Sequence, residues 1–159
     1  AWSIGGSKIQ KKLSPDQISQ ACLKIDMPII LLGGEKEKLE AEQVIGNCSG
    51  RKIYNFCGRL SLDQSALIIK NCMMLLSNDT GLMHIGAAFN KNIISFWGCT
   101  KPDMGFSPYV ISSTSIEILS EKSEKQCSKH GDSCRFTKDG CVKLINSEKI
   151  YEAVQKFRS

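Results

Sequence analysis

The stretch 73–97 constrains the fold more than any other part of the chain. Two apolar runs, 73–76 and 93–97, flank a polar turn, Ser77-Asn78-Asp79-Thr80, and a segment of small and apolar residues over 81–89. All four turn residues are helix-capping types, so the pattern predicts a strand, a tight turn, a short buried helix and a second strand. The start of such a helix presents unpaired N–H groups and the positive end of its dipole. An anion placed there gains hydrogen bonds and favourable electrostatics together. Gly81 lets an anion approach the backbone, and His84 lies one turn on, near the face of Thr80 and Gly81. In the alternative reading Asp79 and Thr80 only cap the helix, and His84 is a satisfied core histidine.

The rest of the chain repeats the strand-to-helix pattern. A short apolar strand at 1–4 runs into Gly5-Gly6-Ser7-Lys8, where the backbone can come close to a ligand. Ser14-Pro15-Asp16-Gln17 is a complete helix start, with a Ser cap, Pro at the first position and Gln to close a capping box. An apolar run at 28–32 has the pattern of a strand covered on both faces, and ends at Gly33-Gly34 before a helix over 38–48. A third strand centres on 53–56, and Ser61-Leu62-Asp63-Gln64 starts another helix. After the strand at 93–97 comes a long loop, 98–109, in which Gly98 offers close backbone approach and Thr100 a hydroxyl. Short edge-strand candidates follow at 110–111 and 116–119, and an amphipathic helix over 145–157, capped by Ser147, closes the chain. Regular alternation of this kind predicts parallel pairing with right-handed crossovers, hence a Rossmann-like three-layer α/β domain. In that fold the loops at 5–11, 33–37, 58–60, 79–84 and 98–100 all fall at the carboxyl ends of strands, where ligands bind.

Length and charge narrow the classes further. The 159 residues suffice for one well-buried domain. Over 1–119 the chain reads as the Rossmann-like core, and 120–159 as a cysteine-containing loop and C-terminal helix of the same domain. No apolar run approaches the roughly 20 residues of a membrane span. A chain that opens on Ala1, with no signal-peptide pattern, is expected to be a piece of a longer protein. The net charge of +5 suits anionic small molecules or a membrane surface. Its basic clusters are short and carry no interleaved aromatics, so nucleic acid is not an expected partner.

Of the eight cysteines, Cys22, Cys48, Cys57, Cys72 and Cys99 lie in or beside apolar segments and read as small buried hydrophobes. That usage points to a reducing compartment. Cys127, His130, Cys134 and Cys141 supply the four groups a tetrahedral zinc site needs. Their spacing matches no standard finger, so free or packed thiols are the expected state and zinc the alternative.

Asp79-Thr80-Gly81-Leu82-Met83-His84 with Ala87-Ala88, followed by Trp97-Gly98-Cys99-Thr100-Lys101-Pro102, resembles the signature of glycosyltransferase family 9, the lipopolysaccharide heptosyltransferases. The resemblance runs from Ala1 to about Phe157 and is to the donor-binding C-terminal half of a two-domain B-type fold, without the N-terminal acceptor domain. It implies a nucleotide-diphosphate sugar, ADP-heptose by family, as donor substrate, with no cofactor required. Phosphate and sugar contacts are implied for Ser7, Lys11, Asp79, Thr80, Gly81, His84 and Thr100, with Lys12 as the fallback for Lys11. A solvated basic pair is the plain alternative for the two lysines.

Glu37 is implied to hold the ribose and Leu60 to lie against the base. The competing readings are a first-turn glutamate that complements its helix dipole, and a turn leucine tucked onto the core. The family's catalytic base sits on the acceptor half, so none is assigned here and the piece alone is expected to be inactive. Inverting transfer to a lipid-linked saccharide, in the cytoplasm or on the inner face of the inner membrane, completes the expectation. Two features depart from the family: Cys99 stands where Pro is usual, and Gly6-Ser7 where hydroxyl residues are common. The rival classes are a sugar-nucleotide epimerase half-domain and a non-catalytic nucleotide-binding or zinc-stabilised interaction module.

Overall fold

The computed structural model describes residues 1–109, 115–122 and 125–158. One wholly parallel sheet holds β1 (Trp2–Ser3), β2 (Ile29–Leu32), β3 (Ile53–Asn55), β4 (Met74–Asn78), β5 (Asn92–Trp97) and β6 (Ser115–Leu119). Their spatial order is β3-β2-β1-β4-β5-β6. The chain starts mid-sheet, winds outward through β2 and β3, then returns to lay β4 on the other side of β1. Parallel neighbours need crossovers, supplied by α1 (Pro15–Lys24), α2 (Lys38–Asn47), α3 (Leu62–Asn71) and α4 (Gly81–Ala88), and α5 (Ser147–Lys156) completes the domain.

Period-two alternation along the strands feeds two cores. Trp2, Leu31, Leu76, Ile94 and Phe96 pack with Ile18, Cys22, Val44, Ile150 and Val154 of α1, α2 and α5. Leu32, Leu75, Ile93 and Trp97 pack on the other face with Ile69 of α3 and Met83 of α4. The three-layer Rossmann-like architecture is therefore the one the alternation predicts. A Cβ added to Gly86 would lie 2.5 Å from Leu75 Cδ2, so glycine is what lets α4 seat directly on β4. No helix among the described residues is long and apolar enough to cross a membrane.

Element ends mostly follow their sequence signals. Ser14 Oγ accepts from the Gln17 N–H while Gln17 Oε1 accepts from the Ser14 N–H, at 3.2 and 2.9 Å. Gln17 then uses Nε2 to donate to the carbonyls of Ile145 at 2.7 Å and Val142 at 3.3 Å. Its amide thus closes the cap of α1 and pins the chain entering α5, a pair of tasks that a carboxylate lacks the donors for. The last helix differs from expectation: its cap is Asn146, whose Oδ1 accepts from the Glu148 N–H at 2.9 Å, while Ser147 Oγ donates to Gln20 instead. The edge-strand candidate at 110–111 lies outside the described residues.

Candidate functional site

The sheet order reverses between β1 and β4, and a crevice opens where the two strands end. Its floor is set by Asn78, the last residue of β4, which is fully buried. Asn78 Nδ2 donates to the carbonyls of Ile4 and Gly5 at 3.1 and 3.0 Å, and Oδ1 accepts from the Leu13 N–H at 3.3 Å. One amide side chain so fixes the β1 loop and the approach to α1 against β4. Sequence reading counts Asn78 only as a capping residue; a polar side chain ending a buried strand is the signal for this clamp.

Above the clamp is a cleft of about 800 Å³. Ser7, Lys11, Glu37, Leu60, Asp79, Thr80, Gly81 and His84, drawn from four separate loops, all line it. That volume is in the range of small-molecule and cofactor sites. Gly33 and Gly34 of the expected 33–37 loop line it too, and Leu62 and Ser65 at the start of α3 add to the lining without a signal in the sequence.

The start of α4 is open to this space. Thr80 is the N-cap residue, yet its side chain makes no capping hydrogen bond. Its hydroxyl lies 3.1 Å from Ser77 Oγ and 3.4 Å from Ser3 Oγ. Ser77 Oγ itself donates to the Asn78 carbonyl at 2.7 Å, so Thr80 is the donor to Ser77. A Cβ at Gly81 would meet nothing within 4 Å. His84 is exposed on the cleft wall. The reading of Asp79 and Thr80 as caps and His84 as a core residue is thus overturned: the helix start was left without a side-chain cap.

Lys11 Nζ donates to Asp79 Oδ2 at 2.7 Å, with both side chains almost buried, and stands 5.6 Å from the centre of the Phe106 ring. The cation is thereby held on the same cleft that the start of α4 lines. Lys12, the fallback, is elsewhere: its Nζ reaches Glu37 Oε1 and Glu40 and does not line the cleft. Burial works to lower the Lys12 pKa, but the hydrogen bonds its ammonium donates to Glu40 and Glu37 outweigh it and raise the value. Glu37 lines the cleft with both oxygens engaged, Oε1 by Lys12 and Oε2 by the Gly34 N–H at 2.9 Å. Lone pairs remain on each oxygen for further acceptance.

Two residues of the long loop sit differently from expectation. Thr100 is buried and absent from the lining; it backs the site by donating to Asp79 Oδ2 at 3.3 Å. Gly98 is approached by protein rather than ligand, since a Cβ there would lie 2.8 Å from Val142 Cα. The sulfur-bearing group also departs from the sequence reading. His130 is exposed, and the side chain that joins Cys127, Cys134 and Cys141 is Cys99, not a lone buried hydrophobe.

Residues 10–137 match the family model described as glycosyltransferase family 9 (heptosyltransferase). Lipooligosaccharide heptosyltransferase 2 of Haemophilus ducreyi is 33% identical over 91 residues, 54% of this chain and 26% of that protein. Among solved structures, a family 9 glycosyl transferase from Veillonella parvula is 18% identical at a TM-score of 0.78, covering 98% of this chain and 44% of that one. Escherichia coli ADP-heptose LPS heptosyltransferase II is 17% identical at a TM-score of 0.75, covering 98% and 45%. The chain spans about a quarter of that curated relative and about half of the B-type folds of its structural neighbours. On the family match, which takes in most of its length, the chain belongs to glycosyltransferase family 9.

Proposed function

We propose that this chain is the donor-binding half of a heptosyltransferase-type enzyme of lipopolysaccharide core assembly, and that its cleft holds the diphosphate and sugar of a nucleotide-linked heptose. The observation that carries this reading is the convergence of the uncapped α4 start, the Lys11 ammonium and an 800 Å³ cleft on one spot at the switch point of the sheet. ADP is the favoured nucleotide, because the E. coli structural relative is an ADP-heptose enzyme.

In sugar transfer an acceptor hydroxyl attacks the anomeric carbon while the bond from that carbon to the β-phosphate oxygen breaks. The nucleoside diphosphate leaves with the bonding electrons. Its growing charge is met by preoriented N–H groups at Gly81 and Leu82, the helix dipole and Lys11, none of which must reorganise as the bond breaks. Metal is not needed for that step. Asp79 is a carboxylate and so repels phosphate; its place is to hold Lys11 and accept from sugar hydroxyls. His84, on the wall, is positioned to donate to hydroxyl or phosphate. Leu60, with Leu62 beside it in the lining, offers an apolar surface for a base, and Glu37 has acceptor capacity for ribose hydroxyls. The base that takes the acceptor's proton belongs, on this reading, to an acceptor half outside the chain, as do the lipid-linked saccharide and any contact with the membrane surface.

Thermal-shift and calorimetric titration against ADP-, UDP- and GDP-linked sugars tests the proposal. ADP-heptose is expected to raise the melting temperature most, and His84→Ala and Asp79→Ala to lose that response while remaining folded. A protein indifferent to every nucleotide sugar at millimolar concentration would favour the non-catalytic module instead.

A further inference from the structure

Cys99, Cys127, Cys134 and Cys141 come together from a strand-end loop, from the irregular segment 125–140 and from the residue that follows it, with all four sulfurs within 4.8 Å of one another. Cys99 and Cys141 sulfurs are 3.7 Å apart, Cys127 and Cys134 3.9 Å, and Cys127 and Cys141 3.9 Å. A disulfide would hold two of them at about 2.05 Å. Four thiolates on one ion at a metal–sulfur distance of about 2.3 Å stand at the corners of a tetrahedron whose edge is about 3.8 Å. The observed separations are those of the tetrahedron.

The surroundings fit a metal better than packed thiols. Residues 125–140 form neither strand nor helix, and the apolar cluster beneath them contains nothing but cysteines. A loop of this length with no aliphatic core has little else to order it, which is the situation in which small structures use a metal staple. Cys134 Sγ already accepts from the Phe136 N–H at 3.4 Å, an arrangement that suits a thiolate. Lys101, two residues after Cys99, buries an ammonium with no hydrogen-bond partner among the described residues. Four thiolates around a divalent ion leave net negative charge for such a cation to offset.

We infer that Cys99, Cys127, Cys134 and Cys141 bind one thiolate-preferring transition-metal ion, zinc or iron, which fixes the segment 125–141 to the end of β5. The site is structural, since four protein ligands leave no open position for a substrate. It lies against the cleft: a Cβ on Gly131 would sit 2.7 Å from Lys11 Cε and 3.1 Å from Thr100 Cγ2, so the metal-held loop packs on the residues that steady Asp79.

The test is metal analysis of the full chain, purified under reducing conditions without metal-affinity resin or chelator. One equivalent of zinc or iron per chain is expected. Iron would colour the protein through thiolate charge transfer; zinc would not, but cobalt substituted for it would show tetrahedral ligand-field bands. Cys127→Ser and Cys141→Ser should lose the metal, and His130→Ala should retain it. Should the serine variants fail to fold, alkylation of the wild type decides: these four cysteines should be protected by metal and freed together by chelation. Less than about a tenth of an equivalent after reconstitution with zinc or ferrous iron, or alkylation rates unchanged by metal, would overturn the inference, as would metal loss in His130→Ala.

Discussion

Replacing Lys11 with Met separates charge from packing, because Met keeps much of the stem against which Gly131 lies and removes only the ammonium. In the wild type Nζ is 2.7 Å from Asp79 Oδ2, and the two side chains are 12% and 10% exposed. Unit charges about 4 Å apart at an effective dielectric constant near 20 attract by about 4 kcal/mol before desolvation is subtracted. Removing one member of a nearly buried pair leaves the other charge stranded, which is costlier than never having had the pair. Among the described residues Thr100 is then the one partner left to Asp79 Oδ2, at 3.3 Å. We expect Lys11→Met to lower stability by about 2 kcal/mol in urea unfolding.

On the proposed diphosphate role of Lys11, the variant loses a charge-assisted contact to ADP worth about 1.5–3 kcal/mol. It also meets an Asp79 carboxylate that is no longer neutralised, so affinity by calorimetry should fall at least about 100-fold, or about 2.8 kcal/mol. The double change Lys11→Met, Asp79→Asn removes both charges. It should recover most of the stability while remaining about tenfold weaker than wild type for ADP. A folded Lys11→Met protein that binds ADP as the wild type does would refute the assignment of Lys11 to the diphosphate.

Other positions give separable outcomes. Asn78→Ala strips partners from the Ile4 and Gly5 carbonyls and the Leu13 N–H, so it should cost about 2–4 kcal/mol in chemical unfolding; an unchanged midpoint would remove its role as the clamp. Gln17→Glu keeps the cap acceptor but loses the donor to Ile145 and Val142, and a loss of about 2 kcal/mol is expected, with α1 helicity kept in circular dichroism. Gly81→Ala adds a methyl group where nothing lies within 4 Å, so the melting temperature should hold or rise while ADP affinity drops about tenfold. A fall in stability there would mean that the start of α4 is packed rather than open.

The architecture was legible because each layer writes its own period. The both-face apolar runs at 29–32 and 93–97, and the capping boxes at Ser14 and Ser61, mark parallel strands and the crossovers between them. Most of the cleft was legible for a related reason: in a parallel sheet every strand-to-helix loop opens at the same edge, so loops far apart in sequence share one crevice. What sequence could not supply is the return of 127–142 across that edge. The segment covers Gly98, takes Cys99 into a sulfur cluster and rests Gly131 on Thr100, turning a loop expected to face ligand into one that faces protein. Glycine and cysteine carry no period, so nothing local distinguishes an approach by phosphate from an approach by backbone. The cap of α5 falls on Asn146 rather than Ser147 because two capping types stand side by side and the Ser147 hydroxyl is taken by Gln20.

The central claim is that the first-turn amides of α4 receive the diphosphate. Amide chemical shifts of the nitrogen-15-labelled protein, followed through a titration with ADP, address those atoms directly. The account predicts that the Gly81 and Leu82 N–H signals move furthest downfield, together with the Lys11 ammonium, and that the same titration with adenosine leaves them in place. Shifts that instead gather away from the ends of β1 and β4, or are as large with adenosine as with ADP, would contradict it.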